Sequence, residues 1–131
     1  NIDSDSNNDS FINTSELSAS GNLIKATITL PAAAVVGDTV TVTASGNSPR
    51  TLTLSAADIS AGKIVISDFS STGNNTNFVV TASIKDAAGN ASPSPDASDS
   101  ATIVSSTSGA PVVTITEDTS GDGVINASEL Q

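Results

Sequence analysis

Residues 78–85, FVVTASIK, decide the fold class, because apolar and polar residues alternate along them with a period of two. Phe78, Val80, Ala82 and Ile84 fall on one side of this stretch. Successive side chains of a β-strand point to opposite faces, so the pattern predicts a half-buried strand. Since this is the longest such apolar face in the chain, we expect it to form a central strand.

Shorter segments of the same kind lie on both sides of it. The predicted strands are residues 23–30, 39–44, 51–54, 63–67, 101–105 and 112–117. Residues 55–60 are typical of one helical turn, with Ser55 as the N-cap and Gly62 as the stop signal. Turn residues separate the strands at near-regular spacing, including a Pro-rich loop at Pro93 and Pro95. The sequence therefore predicts an all-β fold, an antiparallel β-sandwich of about seven strands.

Residues 118–129, DTSGDGVINASE, have oxygen-bearing side chains at the spacing of an EF-hand-type calcium loop. Gly123 takes the sharp turn at the sixth position. Calcium is a hard cation that prefers roughly six to eight oxygen ligands. The expected ligands are Asp118, Ser120, Asp122, the Val124 carbonyl, Asn126 and Glu129.

Residues 5–16, DSNNDSFINTSE, repeat this pattern near the N-terminus. Their expected calcium ligands are Asp5, Asn7, Asp9, the Phe11 carbonyl, Asn13 and Glu16. Ser10 replaces glycine at the sixth position, so we expect a turn that is strained or wound differently. The alternative for both loops is that these side chains only stabilise turns.

The two loops are copies of one longer segment. The offset is 118 − 5 = 113 residues, and Ile2, Ile12 and Leu17 correspond to Ile115, Ile125 and Leu130. A period near the size of a small domain indicates a tandem array. We expect residues 1–108 to form one repeat, and residues 109–131 to form a linker and the first strand plus calcium loop of the following repeat. Neighbouring repeats of the same chain are therefore the expected partners.

Charge and composition exclude several classes of function. The chain has 14 acidic and 4 basic residues, and its net charge of −10 argues against nucleic acids and anionic membranes as partners. It contains neither Cys nor His, which argues against zinc, copper and thiol chemistry. No apolar run is long enough for membrane insertion. Eight acids lie in or beside the loops, and their repulsion favours a bound cation: Asp3, Asp5, Asp9, Glu16, Glu117, Asp118, Asp122 and Glu129.

Catalysis is not expected, because no nucleophile and base, and no acid pair outside the loops, stand out in the sequence. Asp38, Asp58, Asp86 and Asn90 are interpreted as turn or cap residues, and Asp96 and Asp99 as solvated loop residues. A ligand-binding module remains an alternative, since acids with calcium bind sugar hydroxyls. Such sites usually add a stacking aromatic side chain. The only aromatic residues are Phe11, Phe69 and Phe78, and Phe78 is assigned to the core. An accessory module of an extracellular enzyme is a third possibility.

Three motifs, in combination, resemble a known family. They are residues 113–130, VTITEDTSGDGVINASEL, residues 37–43, GDTVTVT, and residues 83–90, SIKDAAGN. Together they are similar to the bacterial immunoglobulin-like repeats of giant, calcium-dependent, type I secreted (RTX-type) surface adhesins that support biofilms. The resemblance implies an immunoglobulin-like sandwich on the bacterial cell surface. It also implies an extender module for cell adhesion, with calcium stiffening its junctions.

An immunoglobulin-like topology also predicts where the first loop lies. The first strand would run away from its own N-terminus, which brings residues 5–16 close to the exit of the last strand. The second loop would lack the domain that follows it. Residues 112–116 would then form an exposed edge strand.

Overall fold

The computed structural model describes residues 1–92, 96–106 and 109–131. This part of the chain is mostly β, with seven strands in two sheets and two short helices. The elements in chain order are β1 (Phe11–Asn13), α1 (Thr14–Ala19), β2 (Leu23–Thr29), β3 (Thr39–Ala44), β4 (Arg50–Thr53), α2 (Ala56–Ala61), β5 (Lys63–Ser70), β6 (Thr76–Lys85) and β7 (Ala97–Val104).

The two sheets form an all-β sandwich. One sheet has five strands in the order β1-β7-β6-β3-β4, and the other pairs β2 with β5. The strand β6 lies between β7 and β3, so the predicted central strand is confirmed. Every pair of strands is antiparallel except β1 and β7, which run in the same direction. The prediction of antiparallel pairing is wrong for that pair alone.

The core fills the space between the sheets with aliphatic side chains and two phenylalanines. Phe69 on β5 faces Phe78 on β6, with ring centroids 6.3 Å apart and planes inclined by 57°. Burying each large apolar side chain contributes about 1.5–3 kcal/mol. The largest fully buried side chains are Phe69, Phe78, Ile2, Ile12, Ile24, Leu54, Ile103, Val40 and Val42.

The helix α2 confirms the predicted capped turn. The Ser55 hydroxyl accepts a hydrogen bond from the Asp58 amide, and the Asp58 carboxylate accepts one from the Ser55 amide. These reciprocal bonds form a capping box and satisfy amide groups that the first helical turn leaves free. Gly62 ends the helix in the left-handed conformation, with φ +68°.

Three strands are longer than the alternation pattern predicts. β6 begins at Thr76 rather than at residue 78, and the other two are β5 and β7. β5 continues to Ser70, and β7 begins at Ala97 rather than at residue 101. In β5 and β7 alike, backbone pairing with a neighbouring strand extends the strand over polar residues. Asp99 therefore lies within β7 and not in a loop, paired opposite Val80. The predicted Pro93 and Pro95 loop lies outside the described residues.

Residues 112–117 do not form the predicted strand. The structure assigns no regular secondary structure to them, and Val112 and Val113 are exposed. Their apolar side chains match a buried strand, but a strand also needs a neighbouring backbone to pair with. Within the described part of the chain, no strand pairs with this segment.

Candidate metal loops

The first loop is attached to both sheets of the sandwich. At its start, Ile2 bridges to Ala26 on β2, and the Ile2 amide donates to Oδ2 of Asp99 on β7 at 2.7 Å. At its end, β1 pairs with Thr102, Ile103 and Val104 of β7. The end of the first loop therefore lies beside the end of the last strand, as the sequence predicted.

Asp5 is the centre of the first loop. Its side chain is buried, and its carboxylate oxygens accept hydrogen bonds from the amides of Asp9 (3.1 Å) and Ser10 (2.9 Å). Asp9 accepts in turn from the Phe11 amide at 2.9 Å. Charge-assisted bonds of this kind compensate for taking a carboxylate out of water. Asp5 thus folds the loop around itself.

The helix α1 ends the first loop and was not predicted. Asn13 is its N-cap, and its side-chain oxygen accepts from the amides of Ser15 and Glu16 at 2.9 and 3.1 Å. Glu16 accepts from the Asn13 amide at 3.1 Å, which completes a capping box. The sequence signal was the Asn-x-x-Glu spacing, which was interpreted only as a pair of calcium ligands. The helix turns Leu17 into the core.

The Ser10 turn is strained but not wound differently from the second loop. Ser10 has φ +68° and Asn8 has φ +55°, and the corresponding Gly123 and Gly121 have φ +81° and +70°. All four residues are in the left-handed region, which favours glycine because it has no Cβ. The turn at Ser10 is therefore strained, which is one of the two alternatives that the sequence predicts, and its residues adopt the same conformation as their counterparts in the second loop.

The second loop repeats the main internal hydrogen bonds of the first. The Asp118 carboxylate accepts from the amides of Asp122 (3.2 Å) and Gly123 (2.8 Å), and Asp122 accepts from the Val124 amide (2.9 Å). Glu129 accepts from the Asn126 amide at 3.0 Å, as Glu16 does from Asn13. The loops differ at two positions: Asp5 and Ile12 are buried, whereas the corresponding Asp118 is half-buried and Ile125 is exposed.

Hydrogen bonding keeps the terminal acids of the loops ionised. The Asn13 amide, followed by the Ser6 hydroxyl, holds the pKa of Glu16 below its ordinary value. The Asn126 amide, followed by the Ser120 amide, lowers the pKa of Glu129 in the same way. Each donor stabilises the charged form of the carboxyl group. Both side chains are therefore anionic at neutral pH.

The oxygen-bearing groups of the first loop suit calcium, although its three carboxylates do not converge on one point. Among the described residues, no three acidic side chains converge closely enough to hold a metal ion. Glu16 accepts from the Ser6 amide at 3.0 Å and from its hydroxyl at 2.8 Å. The donors available to a cation are carboxylate, amide and carbonyl oxygens, which are the ligands that calcium prefers. A carboxylate oxygen has two lone pairs, so it can accept a hydrogen bond and bind a cation.

Asp86 and Asp38 stabilise turns, as their sequence contexts predict. Asp86 accepts from the amides of Ala88 (2.9 Å) and Asn90 (2.8 Å). Asp38 is buried and accepts from the Val35 amide at 3.0 Å. These carboxylates satisfy backbone donors in their own turns.

Two further features bear on ligand binding. An open apolar depression of about 520 Å³ lies at one end of the sandwich, and its lining includes Ile28, Leu30, Pro31 and Ile84. Phe11 is the only one of the three aromatic side chains at the surface, and it lies within the first loop, where it is 50% exposed. In the described part of the chain, no helix is long and apolar enough to cross a membrane.

Comparison of the chain with known proteins found no matching family model, no matching curated protein and no matching solved structure.

Proposed function

We propose that this chain is a structural extender of a secreted bacterial surface adhesin, an immunoglobulin-like repeat that calcium makes rigid. In this role it acts as a spacer between neighbouring repeats and supports adhesion and biofilm formation. One observation carries the proposal. The hydrogen bonds that shape the first loop recur, 113 residues later, in the second.

The position of the first loop supports a role at the junction between repeats. Ile2 fixes its start to β2 and β7, and β1 fixes its end to the last residues of β7. A cation held by Asp5, Asp9 and Glu16 would therefore tie the loop to the point where the chain leaves the sandwich. Its effect would reach the next repeat through that exit.

Charge supports a cation in preference to turn formation alone. Neither loop contains Lys or Arg, and each contains three carboxylates within twelve residues. Like charges at such spacing destabilise a closed loop, and a divalent cation removes most of that cost. We expect a dissociation constant on the order of 10⁻⁴ to 10⁻³ M, typical of extracellular calcium modules.

Thermal unfolding of the 131-residue chain tests calcium binding. With 10 mM calcium and a dissociation constant in that range, the stabilisation is about 1.4–2.7 kcal/mol. The melting temperature should therefore rise by several degrees relative to excess chelator. Glu16→Gln should remove most of the rise, whereas Asp96→Asn removes the same charge outside the loops and should preserve it. Superimposable unfolding curves in calcium and chelator would refute calcium binding.

A two-repeat protein tests the spacer function separately. Because the period is 113 residues, residues 1–113 can be fused directly to residues 1–131. Small-angle scattering should give a longer and narrower particle in calcium than in chelator. Glu16→Ala in the first copy should abolish the difference, whereas the same change in the second copy should leave most of it. Equal maximum dimensions in both conditions would mean that calcium stabilises a loop without stiffening the junction.

The exposed Phe11 ring favours a second candidate, a glycan-binding module. An aromatic ring beside a calcium loop is a common arrangement for holding a sugar, because the ring stacks on its apolar face. A glycan array probed with the intact chain in calcium distinguishes the two functions. A spacer gives no signal, whereas a glycan-binding module gives a signal that Phe11→Ala removes.

A further inference from the structure

The first and last eighteen residues are two versions of one segment. Residues 1–18 and 114–131 align without a gap and are identical at eight positions. The identical pairs are Ile2 and Ile115, Asp5 and Asp118, Asp9 and Asp122, Ile12 and Ile125, Asn13 and Asn126, Ser15 and Ser128, Glu16 and Glu129, and Leu17 and Leu130.

The two versions have opposite environments. Ile2, Ile12 and Leu17 are 1%, 0% and 8% exposed and belong to the core. The corresponding Ile115, Ile125 and Leu130 are 58%, 39% and 68% exposed. Three large apolar side chains at identical spacing therefore face solvent in one copy and fill the core in the other.

Residues 1–18 are held on the sandwich largely by hydrogen bonds of their backbone groups, which any sequence supplies. The Asn1 carbonyl accepts from the Thr27 amide at 2.8 Å, and the Asp3 amide donates to the Lys25 carbonyl at 2.8 Å. At the other end, the Ser10 carbonyl accepts from the Thr102 amide at 2.9 Å. Residues 114–131 carry the same groups and the same three apolar side chains.

Two mismatches favour residues 1–18 as the occupant. Thr116 corresponds to Asp3, whose carboxylate accepts a hydrogen bond from the Thr27 hydroxyl at 2.6 Å, and the second mismatch is at Ser4. Ser4 is buried, and its hydroxyl accepts from the Lys25 amide at 2.8 Å and lies 3.1 Å from the Ser20 hydroxyl. Glu117 corresponds to Ser4 and would bring a larger, charged side chain into this position. Burial of a carboxylate without a cationic partner is unfavourable.

The chain is long enough for its second copy to reach the site. Nine residues lie between Val104, at the end of β7, and Thr114. To replace Asn1, Thr114 must lie beside Asp99, five strand residues back from Val104, or about 17 Å. Ten peptide units reach at most about 33–36 Å, roughly twice this distance. A ligand on a linker that spans the distance to its site has an effective concentration of up to roughly the millimolar range.

We propose that residues 114–131 are a second ligand for the site on the sandwich that residues 1–18 fill, and that the two segments exchange within one chain. In the exchanged form, Ile115, Ile125 and Leu130 enter the core and residues 1–18 are released. This exchange requires no calcium, and its test does not depend on the spacer function.

Amide hydrogen exchange of the full chain, followed by mass spectrometry in chelator, tests the proposal. Ile12→Ala weakens only the first occupant and should shift the equilibrium toward the second by about 30-fold or more. Amides in residues 115–130 should then gain protection, while those in residues 2–17 lose it. Ile12→Ala combined with Ile125→Ala weakens both occupants and should cancel the shift.

A double variant keeps the test decisive if Ile12→Ala alone gives little change in protection. Glu117→Ser restores the small hydroxyl at the second mismatched position, so Ile12→Ala with Glu117→Ser should protect residues 115–130 further. If this double variant leaves residues 115–130 as unprotected as in the parent chain, the proposal is wrong. Protection that increases with protein concentration would place the segment in a second molecule and would also overturn exchange within one chain.

Discussion

Ser10→Gly should stabilise the sandwich by relieving the strained turn of the first loop. Ser10 has φ +68° in a turn whose copy in the second loop uses glycine. The left-handed conformation costs a residue with a Cβ roughly 1–2 kcal/mol. Glycine also makes the unfolded chain more flexible, which lowers the free energy of unfolding by about 0.4–1 kcal/mol and offsets part of the gain. The expected net gain is about 0.5–1 kcal/mol.

Circular dichroism is the suitable probe of unfolding, since the chain has neither Trp nor Tyr. With excess chelator, the melting temperature should rise by about 2–6 °C. Ser10→Ala is the matched control, because it removes the exposed hydroxyl but keeps the Cβ, and it should change stability by less than about 0.5 kcal/mol. If glycine gives no gain over serine, or if alanine gives the same gain, strain at Ser10 does not limit stability.

Three further outcomes follow from the fold. The Ser55 hydroxyl lowers the pKa of Asp58 in the folded protein below its ordinary value of 3.8. The capping hydrogen bonds of the Asp58 carboxylate therefore stabilise α2 fully above pH 3.8, and this stabilisation is lost as the pH falls through the folded-state pKa. Asp58→Ala should therefore abolish the acid fraying of α2 that amide chemical shifts report in the parent chain. Asp99→Ala should speed exchange of the Ile2 amide about tenfold or more, because it removes a charged acceptor. An unchanged rate would mean that Ile2 is held by packing alone. Phe78→Ala should cost about 3–5 kcal/mol in urea unfolding, whereas Phe11→Ala, at the surface, should cost less than about 0.5 kcal/mol; similar costs would contradict the assignment of the core.

Local sequence patterns predicted the elements whose structure is determined by neighbouring residues in the chain. The strict alternation of β6 and the Ser55 and Gly62 signals of α2 are short-range features, and the structure confirms both elements. The pattern did not identify the start of β7, because Asp99 and its polar neighbours are paired with β6 through the backbone, and apolar alternation does not report such pairing. Residues 112–117 have the opposite character, with strand-forming side chains but no neighbouring strand in the described residues.

The candidate site was predictable as two loops but not as a three-dimensional arrangement. Spacing alone identified the copies, and their hydrogen bonds are alike. The parallel pairing of β1 with β7 joins residues about ninety positions apart, which no local pattern reports. Asn13 and Glu16 were expected to be ligands, and the same spacing also makes them a capping box. One short motif can therefore serve a helix terminus and a cation loop, and sequence spacing does not separate the two.

The parallel pairing of β1 and β7 also determines how the module responds to mechanical tension. The chain enters beside Asp99, runs along β7 in the same direction and leaves past Val104. Tension that draws residue 1 and residue 106 apart therefore slides the two strands past each other. The hydrogen bonds of a parallel pair are evenly spaced and slanted, so this sliding loads them together and they must break nearly at once. A pull along the chain thus meets its greatest resistance where the N-terminal segment meets the last strand, and the sandwich behind that contact is shielded until it fails.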